Sequence, residues 1–281
     1  MQDGKFSRTA HQVAVRRAAH QLLDQPRVLD DPLALRIIGR EAADELRTSP
    51  KEDHGFSRAF RAFMAARSRY AEDELDRAAA QGVTQYVVLG AGLDTFAYRN
   101  RHSNLRVFEV DHPATQAWKR ERLQAAGIAT PPSVTFVPVD FEHQTLGAAL
   151  QLARFRVDIP AFFSWLGVTP YITRESCMAT LSFVASLPGG SGVVFDFAVD
   201  PALLNAGQRQ AFDALSSRVA AAGEPFQLFF DPGTLDNELK SLGFHRTELL
   251  QRDQINARYF KDRADGLLVR GSLGHLMGAW V

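Results

Sequence analysis

An α/β fold built on a doubly wound parallel sheet is predicted by two observations. From residue 84 onward, short apolar runs rich in β-branched and aromatic residues alternate with helical patterns. Glycines or carboxylates stand where the first three of those runs end, which is where open α/β sheets bind ligands. Residues 1–82 read instead as helical throughout, a cap region ahead of a core at 83–281. No shift in composition and no linker-like stretch separates the two parts, so 1–281 is expected to form a single domain.

Taken in order, "SRTAHQVAVRRAAHQLL" predicts a first helix, with Ser7 and Thr9 as capping residues. "DDPLALRIIGREAADEL" predicts a second, because Asp31 before Pro32 matches a helix start with proline in its first turn. "FSRAFRAFMAARSRYAEDELDRAAAQG" predicts a long third helix that stops at Gly82. Strands are then expected at 84–89, 106–110, 134–139, 159–165 and 191–198. Two more are expected near 244–251 and 267–273, which makes seven. Helical patterns at 113–127, 174–190, 205–223 and 232–243 fill the intervals, and right-handed crossovers then lay the strands parallel.

Composition excludes several functions. The chain of 281 residues has 46% hydrophobic residues, enough for a sizeable core. Its 32 Lys and Arg balance 32 Asp and Glu, so the electrostatic footprint of a nucleic-acid binder is missing. The single cysteine, Cys177, cannot form an internal disulfide or a cysteine-cluster zinc site, and no metal is expected. The opening residues lack the apolar stretch of a signal peptide, and no run approaches the roughly 18 apolar residues of a membrane span. A cytoplasmic protein with a small-molecule ligand, without nucleic-acid or membrane partners, is the expectation, and the oligomeric state is left open.

Four groups of residues carry the chemistry. Gly90 and Gly92 follow the first strand in "YVVLGAGLDT", where missing side chains let a ligand lie against the backbone. A tight turn alone is the plainer reading, and Thr95 stands where a dinucleotide fingerprint has its third glycine. Asp111 closes the second strand 19 residues after Gly92, near the spacing at which an acid takes ribose hydroxyls; the lesser alternative is a cap on the following helix. Asp140 and Phe141 follow the third strand, placed to meet an adenine amino group and ring, or to be a cap and a core residue. Arg67 falls on the apolar side of its helix with Phe60, Phe63, Met64, Tyr70 and Ala71, so its guanidinium needs an anion. That anion is a ligand or an internal carboxylate.

"YVVLGAGLDTFAYR", "FEVDHPATQAWKRERL" and "VPVDFEHQTLGAAL", preceded by "FMAARSRYAEDEL", closely resemble the S-adenosylmethionine-dependent methyltransferases related to leucine carboxyl methyltransferase. The resemblance runs from about Thr9 to the end of the chain. It implies a Rossmann-like class I methyltransferase fold with a helical N-terminal cap, its last two strands forming an antiparallel edge, and S-adenosylmethionine as cofactor. By the same resemblance, Arg67 binds the carboxylate of the cofactor's methionine part, and Gly90 and Gly92 pass beneath the cofactor. Asp111 takes the ribose, and Asp140 with Phe141 holds the adenine. Arg17 is the nearest match to a basic residue that adds to this site, with Arg16 competing. One departure is plain: family members often carry Glu before the glycine that follows the fourth strand, and here Leu166 precedes Gly167.

Methyl transfer to oxygen asks mainly for alignment and exclusion of water. A carboxylate acceptor needs no base, whereas a phenol or alcohol calls for a histidine or carboxylate. Tyr171 and the segment "RGSLGHLMGAW" are placed on the acceptor side, with His275 as a possible base or a packed core histidine. His112 reads as a cap, and Arg258 as a solvated arginine or an anchor for an acidic substrate. No catalytic residue is assigned. The expected activity is O-methylation of a carboxylate or hydroxyl of a small metabolite. The alternatives are an NAD(P)-dependent oxidoreductase and a non-catalytic cofactor-binding protein.

Overall fold

A computed structural model describes residues 8–48, 54–140, 144–221, 223 and 225–281. Its sheet has seven strands: β1 (Gln85–Leu89), β2 (Arg106–Asp111), β3 (Val134–Pro138), β4 (Phe162–Trp165), β5 (Gly192–Ala198), β6 (Arg246–Leu250) and β7 (Gly274–Trp280). Their order is β3-β2-β1-β4-β5-β7-β6. β1 to β5 are parallel, and β7 runs antiparallel between β5 and β6. The order reverses between β1 and β4, so the loops leaving these two strands diverge and leave a crevice.

Alternation along the strands divides the core. Val87, Leu89, Phe108, Phe163, Phe195 and Met277 face α7 (Arg174–Ala185) and α9 (Pro232–Leu242), through Cys177, Leu181, Leu235 and Leu239. Tyr86, Val88, Val107, Phe162, Val194 and Leu276 face α4 (Gly55–Ala80), the long helix expected from the sequence. Both faces of the sheet are therefore covered, which is why its central strands are apolar on both sides. Cys177 lies fully buried, and burial pushes its thiol up to about 12. A thiol reagent at mildly alkaline pH is expected to leave the native protein unmodified and to titrate this cysteine only after unfolding; rapid native labelling would contradict this packing.

The cap is α1 (Arg8–Leu23), α2 (Ala34–Ile37), α3 (Arg40–Thr48) and α4. The single helix expected over 30–46 is two pieces, because Gly39 takes φ +88 and its missing side chain leaves room for the Arg122 guanidinium. A buried ionic knot ties α1 to α4. Arg61 donates from Nε and Nη2 to the two oxygens of Asp24, each at 2.8 Å, and His20 Nδ1 lies 2.7 Å from the same carboxylate. His20 Nε2 accepts from the backbone N–H groups of Val28 and Leu29, which places the ring proton on Nδ1.

Two further differences from the sequence reading stand out. The last strand was expected at 267–273 and lies at Gly274–Trp280. Leu267 and Val269 are buried as the reading required, but Asn256 takes both the N–H and the C=O of Val269, each at 2.9 Å, in place of a strand partner. Helices α6 (Leu146–Leu152) and α10 (Arg252–Tyr259) were not anticipated; α6 starts where Thr145 caps the N–H of Ala148. The remaining helices are α5 (Pro113–Ala125) and α8 (Ala206–Ala221), both as expected. Among the described residues no helix is long and apolar enough to cross a membrane.

Candidate functional site

A cavity of about 590 Å³ opens beyond the carboxyl ends of β1 to β4 and is roofed by α1 and α4. Arg67, Gly90, Gly92, Asp111 and Asp140 all line it. Phe141, the sixth residue expected at the site, lies outside the described residues.

The glycine turn is built for close approach. Gly90 and Gly92 take φ +64 and +42, and a side chain on Gly90 would collide with Val168. The Gly92 N–H donates to Asp111 Oδ2 at 2.5 Å and the His112 N–H donates to Oδ1 at 2.7 Å. Asp111 thus braces the turn and does not cap α5. His112 is the cap, accepting the Ala114 N–H on Nδ1. Burial pushes the Asp111 carboxyl above its ordinary range despite these bonds. Each oxygen has accepted one hydrogen bond and can accept another, so a vicinal diol can still be held. The Gln144 N–H donates to the Asp140 carbonyl at 2.8 Å, and Thr145 caps α6.

Of the two anions that the sequence left open, Arg67 meets the internal carboxylate. Its Nη1 donates to Asp196 Oδ2 at 2.7 Å, an internal ion pair with both side chains under a tenth exposed. Its Nε is buried without a hydrogen-bond partner among the described residues, although the residue lines the cavity. The chain passes the guanidinium at Gly167, where a Cβ would stand 3.0 Å from both terminal nitrogens. Arg17, rather than Arg16, reaches the site. It donates to Asp31, Leu93 O, Thr95 and Asp94, so α1 is clamped to the loop after β1. Arg16 turns to Gln12 O and lies 4.9 Å from the Phe60 ring centre.

Three acidic residues at the site escaped the sequence reading. Asp94 lines the cavity; burial alone would raise its carboxyl, but Arg17, Lys119 and Arg99 bring it below the ordinary range. Glu72 lines it too, raised by burial although Arg99 donates to its carboxylate. Asp196 had a visible signal, a lone acid inside the apolar run "VVFDFA". Of the acceptor-side residues, Leu166, Tyr171 and His112 line the cavity. His275 does not: it packs edge-on to Phe197 in β7, where burial lowers its imidazole to about 4. Arg258 is neither solvated nor at the site, being bonded to Glu74 and Glu248.

The cavity lining is acid-rich. Glu72, Asp94, Asp111 and Asp140 outnumber Arg17 and Arg67 among the described residues, which favours a ligand carrying net positive charge. Thr95 is fully buried and its hydroxyl donates to Asp31 at 2.7 Å, so the third-glycine position of a dinucleotide site is filled by a structural side chain. These residues fit S-adenosylmethionine: a glycine floor, acids suited to a ribose and a cationic centre, and an arginine in the lining suited to a carboxylate.

Comparison with known proteins agrees. The leucine carboxyl methyltransferase family profile matches residues 10–185. YktD of Bacillus subtilis (strain 168), whose name places it among the S-adenosyl-L-methionine-dependent methyltransferases, is 33% identical over 95% of this chain and 95% of its own length. A similarly named protein of Mycobacterium marinum is 31% identical over 70% of this chain and 68% of its own. In fold, the chain is similar to a methyltransferase-described structure from Thermobifida fusca, with a TM-score of 0.60 at 16% identity, covering 99% of this chain and 96% of that one. A DUF574 family protein from Streptomyces avermitilis gives 0.56 at 17% identity, over 95% and 96%. The chain belongs to the leucine carboxyl methyltransferase family of S-adenosylmethionine-dependent methyltransferases.

Proposed function

We propose that the protein transfers the methyl group to an oxygen, a carboxylate or hydroxyl of a small metabolite, in one in-line displacement. The observation that carries this reading is the roofed, acid-rich cavity that holds Arg67, the glycine turn and Asp111 together. S-adenosylmethionine supplies a methyl group on a positively charged sulfur, a donor reactive enough that alignment is the main task of the protein. Arg67 holds the methionine carboxylate with the donors that Asp196 does not use. Asp111 accepts from the ribose hydroxyls, and Asp140, with Phe141 after it, holds the adenine. Gly90 and Gly92 let the backbone lie beneath the cofactor.

The acceptor enters past Leu166 and Tyr171, and the roof formed by α1 and α4 keeps water from the reacting atoms. Leu166 leaves that wall apolar where relatives often carry a carboxylate. A cavity enclosed by helices suits a small molecule in preference to a polymer or a membrane surface. A nucleic-acid partner is further disfavoured by the acidic lining.

Calorimetric titration tests this reading. S-adenosylmethionine and S-adenosylhomocysteine are expected to bind saturably and NAD not at all, because a pyrophosphate would meet the acidic lining. Asp111→Ala is expected to weaken S-adenosylhomocysteine binding by about 1.5–3 kcal/mol, the worth of hydrogen bonds to a charged group. Unchanged affinity in that variant, or binding of NAD in place of the methyl donor, would remove the assignment.

A further inference from the structure

Asp196 touches two walls of the cavity without lining it. It stands in β5, buried at 6% exposure. Its Oδ2 accepts from Arg67 Nη1 on α4 at 2.7 Å, and its Oδ1 accepts from the Gly167 N–H at 2.5 Å, in the loop that carries Leu166. Its backbone carbonyl accepts from the Thr169 hydroxyl at 2.6 Å, further along that loop. A guanidinium can rotate about its long side chain, and a buried one with a single acceptor has no reason to present a fixed edge. Here the acceptor is itself fixed at two further points, the Gly167 N–H and the Thr169 hydroxyl, and the missing side chain of Gly167 lets that loop lie close against the fork. Arg67 Nε is buried without a partner among the described residues and is closed off from the cavity, so a ligand there is left the terminal nitrogen that Asp196 does not take.

We infer that Asp196 is a positioning residue, acting through Arg67. It holds the guanidinium so that its remaining donors face the carboxylate of the cofactor, and it ties that grip to the acceptor-side loop at 166–169. This rests on the reading of Arg67 as the carboxylate site. Only an aspartate serves both partners here, because each needs an acceptor. An asparagine has one acceptor oxygen, so either Arg67 or the Gly167 N–H would face an amide NH₂.

The test compares two probes that differ only in the part Arg67 would hold. S-adenosylhomocysteine carries the amino-acid carboxylate, whereas 5′-methylthioadenosine keeps the adenosine and sulfur without it. Asp196→Asn is expected to weaken S-adenosylhomocysteine binding by roughly tenfold or more, the loss of a charged hydrogen bond, and to leave 5′-methylthioadenosine unchanged. Equal weakening of both probes would mean a structural role and overturn the proposal, as would no weakening of either.

Arg67→Ala separates the carboxylate site from its positioning. If it leaves S-adenosylhomocysteine binding intact, the carboxylate site itself is wrong. If it weakens binding while Asp196→Asn does not, the site stands and the positioning role falls. Should Asp196→Asn fail to fold, the double variant Arg67→Ala with Asp196→Ala, which leaves neither charge buried alone, is measured against Arg67→Ala. Equal affinities are expected, and a further loss in the double variant would show that Asp196 acts by another route and overturn the proposal.

Discussion

Asp24→Ala is expected to lower the unfolding free energy by about 3–5 kcal/mol, the cost of breaking a buried ion pair from one side. Asp24, Arg61 and His20 are each at most 1% exposed, and the carboxylate accepts two hydrogen bonds from Arg61 and one from His20. Removing it also frees His20, whose tautomer anchors Val28 and Leu29 in the turn between α1 and α2. The pH dependence follows in sign. Burial pushes the Asp24 carboxyl up, but the bonds from Arg61 and His20 outweigh it and hold the group at about 2, against 3.8 for an ordinary aspartate. A depressed carboxyl stabilises the fold above its unfolded value and loses that contribution as pH falls toward the folded one. Roughly 2 kcal/mol should therefore disappear between about pH 4 and pH 2. Urea unfolding across that range measures both effects. A variant whose midpoint and acid limb match the parent would show that the knot contributes nothing; Asp24→Asn serves if the alanine variant does not fold.

Gly90→Ala should be nearly as damaging, and it separates two costs that are usually mixed. A left-handed backbone costs about 1–2 kcal/mol for any residue with a Cβ. Overpacking adds about 1–3 kcal/mol, and at Gly90 the new methyl would run into the stiff, branched Val168. Gly82 is the internal control, since its φ is +96 and no described atom lies within 4 Å of the place a methyl would take there. Gly82→Ala is expected to show the backbone cost alone, and Gly90→Ala the sum together with loss of S-adenosylhomocysteine binding. Val168→Ala added to Gly90→Ala should recover the packing part. Equal melting temperatures for the two glycine variants would refute the collision.

The strands that the sequence revealed are those whose residues announce a pleated, buried surface. β1 and β5, "QYVVL" and "GVVFDFA", are β-branched and aromatic, and both lie where expected. β7, "GHLMGAW", has two glycines and no β-branched residue, so local preference hid it. Its reason is tertiary: a Cβ on Gly278 would stand 2.5 Å from the Tyr70 hydroxyl oxygen, and the strand is thinned there to admit α4. The site divides in the same way. Gly90, Gly92, Asp111 and Asp140 were legible because each follows a strand, and strand ends are ligand-facing in this architecture. Asp196 pairs with a residue 129 positions away, and nothing local foretells that β5 and the sixty-seventh residue meet. Arg67 itself was visible from helical periodicity, but not that it would serve an internal partner and the cavity together.

The placement of β7 between β5 and β6 bears on how the chain can be made. β6 is finished more than twenty residues before β7 begins, yet its ladder forms only with β7. During synthesis the five parallel strands and their helices can assemble while β6 waits as an open edge with no template, exposed to neighbouring chains. Closure comes late, when the 274–280 segment leaves the ribosome and slides into the slot, pairing with both sides at once. The half of the molecule that carries the cavity can therefore be shaped early, while protection against edge-to-edge aggregation waits for β7, which is made after β6.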